Sequence, residues 1–470
     1  MKALKCPECQ ELATRDSASR TLTFSWFHSL IHFSLDIRLF NQATLCGALL
    51  FCMNSFARAE SYYVKDLGTL GGNTSQAYAL NNYGQVVGYS DTSSLVSHAV
   101  LFSGTGSNNI DLDVRGGNST IGEARGINDS GQIVGFGQPS SGGRQIAILY
   151  SASGNVDLDD LCDSGVTAGS AEAINNSGTI IGDADDCFFD DQPCRFGGTG
   201  TGNTALGGIG GGINGVAYDI NVFGQSVGYG TRSDQAQHAT LFSGAGTNNV
   251  DLGTLGGFNS HAYGINNAGQ IVGDSVLPGN SVYHAVLFSG TGSNNIDLGS
   301  LGGISCHAYA INNSDEIVGN SYPATNNNSV YHAFIYKNGV MSDINGLLLP
   351  GSGFSNIRLI ETGSRVPGRT INDSGQIAAV GEIGGRTHAV LLTPVLRRTT
   401  VVLNGKDVVV TFDAIGGKSY HLEWALDLAN PDWQSVPGVS DFTAANTGEA
   451  QFVHTNGATL GAAYYRVRLL

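Results

Sequence analysis

A unit of the form A-x-[AG]-I-N-N-x-G-Q-I-V-G recurs seven times in this chain, and no other feature limits the fold so tightly. Its core falls at Leu80-Asn81, Ile127-Asn128, Ile174-Asn175, Ile220-Asn221, Ile265-Asn266, Ile311-Asn312 and Ile371-Asn372. The first six copies are spaced by 45 to 47 residues, and the seventh follows a step of 60. A period of this size marks repeats that each form one supersecondary unit and bury their apolar faces only by stacking on neighbours.

The fifth copy reads as four short strands. Val250 to Leu255 (VDLGTL) ends at Gly256-Gly257, and Ser260 to Asn266 (SHAYGIN) closes at Asn267-Ala268-Gly269. Gln270 to Asp274 (QIVGD) is β-branched, and His284 to Ser289 (HAVLFS) ends at Gly290. Glycine and asparagine at each boundary are turn residues. Four strands in about 45 residues match one blade of a β-propeller. Seven cores therefore predict an all-β, seven-bladed β-propeller over residues 60–395. The chain enters with Tyr62 to Leu67 (YYVKDL) and leaves after His388 to Leu392 with no further D-L-G copy. The N-terminal strand is thus expected to complete the last blade and hold the ring shut. The rival architecture, an open β-solenoid, would need caps at both ends.

D-L-G-T-L-G-G at Asp66 to Gly72 and Asp251 to Gly257, I-N-N-x-G-Q-I-V-G, and H-A-V-L-F at His98 and His284 together resemble the HAF family of bacterial extracellular repeats. The resemblance covers about residues 62–393. It implies an extracellular repeat protein and brings no settled activity with it. Copies three and four depart from the pattern: Asp157-Leu158-Asp159-Asp160 lacks the glycines, and Pro193-Cys194-Arg195 replaces H-A-V. Residues 396–470 alternate in segments such as Val408 to Phe412, Gly417 to Trp424 and Tyr464 to Arg468, which predicts a small C-terminal antiparallel β-sandwich. That segment resembles accessory modules that end many secreted bacterial proteins.

Residues 1–59 read as a leader. Arg38, an apolar run from Ala43 to Met53 and Ala57-Arg58-Ala59 follow the order of a secretory signal, with cleavage expected before Glu60. The apolar run is too short to anchor the chain in a bilayer, so no membrane span is expected in the mature protein. The location expected is extracellular, with the periplasm as the alternative. Cys6-Pro7-Glu8-Cys9 is half of a zinc knuckle without a second pair at suitable spacing. Cys162, Cys187, Cys194 and Cys306 remain in the mature chain, and one disulfide among the first three is expected; spacing does not choose the pair.

A net charge of −16 argues against nucleic acid, whose phosphates it would repel. Three residue sets carry candidate chemistry. The variable position of A-x-[AG]-I-N holds Tyr78, Arg125, Glu172, Tyr218, Tyr263, Tyr309 and Arg369, on what should be the innermost strand. Tyrosine, arginine and glutamate there would recognise a sugar by stacking and polar contacts; the plainer reading is packing between blades. Asp183, Asp185, Asp186, Asp190 and Asp191 form an acidic cluster that could order around calcium, without EF-hand spacing. His98, His238, His284, His332 and His388 share one repeat position and are either turn caps reaching the neighbouring blade or a ring of metal ligands. No nucleophile elbow, zincin, Walker or dinucleotide motif is found. The function expected is a secreted, non-catalytic binding or scaffold module for carbohydrate or a cell-envelope partner. The alternatives are a polysaccharide lyase or glycosidase acting on the propeller face, and a purely structural matrix protein.

Overall fold

The computed structural model describes residues 60–469 except 105, 107, 114–118, 140–143, 159–160, 162–167, 187–189, 199–201, 244–247, 280, 325–329, 361–367, 397–399, 415–418, 426–433, 445–447 and 458–463. The leader, Cys6, Cys9, Cys162 and Cys187 lie outside these residues. The described chain is all-β, built of small antiparallel sheets, with short 3-10 turns such as Ile344–Leu347. Among the described residues no helix is long and apolar enough to cross a membrane.

Seven sheets of four strands follow the seven copies and are numbered here after them. Sheet five is typical: Ser260–Ile265, Ile271–Val276, Tyr283–Phe288 and Ile296–Gly299 pair in sequence order. Each D-L-G strand thus joins the sheet of the copy before it. Sheet seven is assembled from both ends of the array. Its outer strand is Glu60–Asp66, which runs antiparallel to Arg386–Leu396 from Glu60 opposite Leu396 to Asp66 opposite Val390. Each sheet alone would expose two apolar faces, so neighbours share cores. Val227, Ala239 and Leu252 of sheet four pack with Ala262, Ile271, Val286 and Phe288 of sheet five. Ala378, Ala389 and Leu391 of sheet seven pack in the same way with Ala77, Val86 and Val100 of sheet one.

The asparagine of each I-N core is buried, and its bonds explain the motif. In copy one, Asn81 Oδ1 accepts the N–H groups of Tyr83 and Gln85 at 3.1 and 3.0 Å, which folds the turn. Asn81 Nδ2 donates to Gln85 Oε1 at 2.7 Å and to the Asn128 carbonyl of the next copy at 3.0 Å. Equivalent bonds run from Asn128 to Asn175, Asn175 to Asn221, Asn221 to Asn266, Asn266 to Asn312 and Asn312 to Asn372. Asn372 closes the cycle onto the Asn81 carbonyl at 3.1 Å, across 291 residues. Buried amide and carbonyl groups must be paired, so the fixed Asn is structural, while its partner at the Gln position varies to Thr179 and Glu316.

Two glycines of the motif have distinct causes. The turn glycine sits at positive φ, as at Gly269 (φ 79°), where a Cβ is disfavoured. Copy six places Asp315 there at φ 62°. Asp315→Gly is therefore expected to raise the unfolding free energy by about 1 kcal/mol, read from urea denaturation; a loss of stability would mean the aspartate side chain is needed. The strand glycine faces the backbone of the inner strand: a Cβ on Gly273 would lie 1.9 Å from the His261 carbonyl oxygen.

Copy seven breaks this arrangement and corrects the placement of Arg369. Residues 368–370 are not a strand; Ser355–Arg358, from the longer connection, takes the inner edge of sheet seven. Pro367 stands just upstream and has no N–H to give a ladder. That inner strand ends at Arg358 opposite Val380, and Ala379, one residue beyond the pairing, stands where the other copies have the strand glycine.

Beyond residue 400, Thr400–Asn404, Asp407–Ala414 and Gly448–His454 form one antiparallel sheet. Ser419–Ala425 pairs with Gln434–Ser435, Phe442–Thr443 and Tyr464–Leu469 in a second. Val410, Phe412 and Phe452 from the first meet Tyr420 and Leu422 from the second in one apolar core.

Candidate functional site

The inner strands of sheets one to six carry a register shift at the same place, and each shift skips the variable residue. The shifts lie between Ala77 and Ala79, Ala124 and Gly126, Ala171 and Ala173, Ala217 and Asp219, Ala262 and Gly264, and Ala308 and Ala310. A bulge of this kind re-aims one side chain out of the strand's alternation. Tyr78, Arg125, Glu172, Tyr218, Tyr263 and Tyr309 are thereby turned into the interior, and all six are buried. The Arg125 guanidinium lies 4.4 Å from the Tyr78 ring centre and 2.7 Å from Glu123. The rings of Tyr218 and Tyr263 are 5.4 Å apart, and those of Tyr263 and Tyr309 5.6 Å. Six of the seven sequence candidates thus form one packed collar rather than an open surface.

Arg369 stands apart from the collar, on the side of the asparagine turns. Its guanidinium meets Asp373 at 3.2 Å. With Glu172 and Asp219 it lines a cavity of about 40 Å³ whose wall is otherwise the I-N turns. That volume holds about three or four waters at about 10–15 Å³ each and is far too small for a sugar ring. Asp219 occupies the position that is Ala or Gly in five other copies. It accepts the N–H groups of Ile220 and Ile265 at 2.8 and 2.9 Å, so it ties sheet four to sheet five. Burial pushes its carboxyl up from the usual range, against these bonds and the Arg369 charge.

Over the collar, on sheets four to six, lies a layer of partly exposed rings. Tyr229 meets His261 edge-on at 5.3 Å, and Tyr283 stands between His261 and His307 at 6.4 and 5.4 Å. Tyr331 follows at 6.0 Å from His307 and stacks on Tyr322 at 3.9 Å. The two imidazoles share one buried carboxylate: Asp274 Oδ1 is 2.8 Å from His261 Nδ1, and Oδ2 is 2.6 Å from His307 Nδ1. The Tyr263 hydroxyl of the collar donates to Asp274 Oδ2 at 3.1 Å. Burial opposes ionisation of Asp274, but the two histidines outweigh it and hold the carboxyl far below its usual value. The outward Nε2 atoms meet Gln237 Oε1 at 3.1 Å and the Tyr331 hydroxyl at 3.5 Å. Sequence reasoning missed His261, His307 and Asp274. The signal available was the histidine two residues before tyrosine in SHAY and CHAY, present only in copies five and six.

The acidic cluster of copy three does not converge on one point. Asp183 and Asp185 are buried on one strand, and Arg144 pairs with Asp185. Asp186 instead accepts the Asp190 N–H at 3.1 Å and Gln192 Nε2 at 2.7 Å, closing a hairpin, while Asp191 is exposed opposite Asp185. The expected disulfide is corrected for Cys194, which is a free thiol facing the sheet core, pushed up to about 12 by burial. Cys306 is also free and buried.

The repeated histidines pair within their own sheets, not with the neighbouring one. His98, His238, His284, His332 and His388 each place Nδ1 2.7–3.0 Å from an aspartate: Asp111, Asp251, Asp297, Asp343 and Asp66. These are the aspartates of D-L-G and its variants, and each also accepts the backbone N–H two residues on. The His–Asp pair thus locks the two outer strands together. In one sheet a third carboxylate joins the pair: ligand atoms of His98, Asp111 and Asp113 lie within 4.8 Å of one another. Compared with known proteins, the chain matches no family model and no curated protein.

Proposed function

We propose that this chain is a secreted seven-bladed β-propeller of the HAF repeat type, with a C-terminal β-sandwich, that binds polysaccharide without cleaving it. The cyclic asparagine bonds and the sheet built from both ends of the array support the propeller. The leader pattern of residues 1–59 supports secretion to the cell exterior.

The observation that carries the binding role is the arc Tyr229, His261, Tyr283, His307, Tyr331 and Tyr322. Its rings are partly exposed except for His307, contiguous across three sheets, and backed by a buried collar. Aromatic faces take the C–H faces of sugars, and imidazole, amide and phenol groups beside them take hydroxyls. The collar residues then serve as the floor that fixes the arc, and Tyr263 does so directly through Asp274. A rigid, preformed surface of this kind loses little freedom on binding.

Native affinity gels of the full chain with a panel of polysaccharides test this. Retardation is expected on at least one polymer, with the polymer intact. Tyr283→Ala and Tyr331→Ala should each weaken it about tenfold while leaving the melting temperature within a few degrees, as loss of one stacking contact of about 1–1.5 kcal/mol requires. Retardation unchanged in both variants would move the site off this arc.

A carbohydrate-active enzyme is the second reading, favoured by one feature: each of two imidazoles has Nδ1 held by Asp274, an orientation that suits a general base. Clearing of the polymer in the same gels, abolished by His307→Gln, would establish it.

A further inference from the structure

The interface between the first two sheets differs from its counterparts by a matched pair of residues. Copies one and five have Gly68 with Ser75 and Gly253 with Ser260; copy two has Asp113 with Gly122 at the same positions. The serines do one job. Ser75 Oγ accepts the Ala389 N–H at 2.9 Å and donates to the Gly68 carbonyl at 2.6 Å. Ser260 Oγ repeats this with Ala239 and Gly253 at 2.9 and 2.6 Å. In copy two the Ala99 N–H donates instead to Asp113 Oδ2 at 2.8 Å. A Cβ at Gly122 would fall 2.5 and 2.6 Å from the two Asp113 oxygens, so the carboxylate fills the place of the missing serine.

The exchange also brings an oxygen that a hydroxyl does not. Asp113 is 5% exposed, and among the described residues its buried Oδ1 has no hydrogen-bond partner. A buried acceptor left unmade costs about 1–3 kcal/mol, so a group held here without compensation is a sign of a missing ligand. Beside it is the His98–Asp111 pair, with both side chains about one-fifth exposed and open to solvent on one side. The pairs of His238, His284, His332 and His388 have Gly253, Gly299, Asn345 and Gly68 where this one has Asp113.

We propose that His98, Asp111 and Asp113 form a binding site for one divalent transition-metal ion, Zn²⁺ or Mn²⁺, which the other His–Asp pairs lack. The donor set is one imidazole nitrogen and two carboxylates. That mixture suits zinc or manganese, whereas calcium prefers an all-oxygen set of six to eight ligands. The Nδ1–Oδ2 separation of 2.8 Å is close to the roughly 3.0 Å between adjacent ligands about 2.1 Å from an octahedral ion, and opens by about 0.6 Å for tetrahedral zinc. On binding, the Nδ1 proton moves to Nε2, so the imidazole stays neutral while its Nδ1 lone pair takes the metal. Two carboxylates neutralise the dication, Asp113 Oδ1 gains its partner, and water completes the shell from the exposed side.

The test uses the full chain stripped of metal and titrated calorimetrically with Zn²⁺, Mn²⁺ and Ca²⁺. One Zn²⁺ or Mn²⁺ per chain is expected, with a rise in melting temperature, and Ca²⁺ should bind far more weakly. Asp113→Asn keeps the size and an acceptor for Ala99. The double variant Asp113→Gly/Gly122→Ser restores the residues of copies one and five, and removing the carboxylate clears the space its serine needs. Both variants should fold and lose affinity on the order of 100-fold or more, beyond the 10–100-fold of an outer-shell change. No binding of Zn²⁺ or Mn²⁺ to the native chain, or equal binding to both folded variants, would overturn the site.

Discussion

Asn372→Ala is expected to lower the unfolding free energy by about 3–4 kcal/mol, a large fraction of the stability of a typical domain. Asn372 is fully buried and makes five bonds. Its Nδ2 donates to the Asn81 carbonyl and to Gln376 Oε1 at 3.1 and 2.9 Å. Its Oδ1 accepts from Ser374 N, Gln376 N and Ser374 Oγ at 3.2, 2.9 and 2.9 Å. At about 0.7 kcal/mol net for each of the five bonds, the sum comes to about 3–4 kcal/mol. The variant also opens the one link of the cycle that joins the last copy to the first. Asn313→Ala serves as the comparison. Among the described residues its side chain bonds Asp373 Oδ2 and the Asn267 N–H at the exposed rim, where water can replace it, and the loss there should stay within about 1 kcal/mol. Urea denaturation of both decides the matter. Equal small losses would mean that the inner bonds do not hold the cycle.

Asp274→Ala should cost about 3–5 kcal/mol, the range for removing one member of a buried charged network. The substitution strips three groups of their partner at once: His261 Nδ1, His307 Nδ1 and the Tyr263 hydroxyl. It also loosens the arc, because His261 belongs to sheet five and His307 to sheet six, and this carboxylate bonds both. Acid gives an independent reading. The carboxyl of Asp274 is held below its unfolded value of about 3.9, so its contribution is complete above that pH and is lost as pH falls through it towards the folded value. Melting curves recorded from pH 6 downward should therefore fall more steeply below pH 4 for the native chain than for Asp274→Asn. Parallel curves would assign the acid sensitivity to other carboxylates.

The strands and the turn glycines were legible because each depends on neighbours within a few residues, and the N-terminal strand of the last sheet because the array stops after His388 to Leu392 without a further D-L-G copy. I-N-N-x-G-Q encodes a hairpin whose bonds are almost all local, from Asn81 to Tyr83 and Gln85. The strand positions expected for the fifth copy agree with the described ones to within a residue or two at most ends. The D-L-G strand is shorter, Val250–Asp251, because the glycines that follow leave the ladder. Copy seven was misread at Arg369 because the motif persists there while Pro367 and the longer connection remove the strand that would carry it.

The site was legible only in outline. The variable position of A-x-[AG]-I-N is special, and the sequence marks it by keeping its neighbours small. Whether that side chain faces solvent or the interior turns on a single-residue bulge, and a shift of one residue exchanges the two faces of a strand. His261 stands directly opposite Asp274 in the ladder of sheet five, and the packing of sheet six on sheet five brings His307 to the same carboxylate. The Asp113 and Gly122 exchange is likewise written in the sequence, yet it reads as two unrelated departures until the fold sets them in contact.

The sequence by itself determined the repeat, the strand content and the chemistry available at each position, since these follow from local pattern and turn geometry. The tertiary structure decided which of those positions meet. Neighbours in adjacent sheets are about 46 residues apart along the chain, and their contacts depend on register, bulges and the packing of one sheet on the next. That is why tyrosines for which both ligand contact and packing between blades were open lie buried, and why a carboxylate in one copy of the repeat stands where a serine does in others.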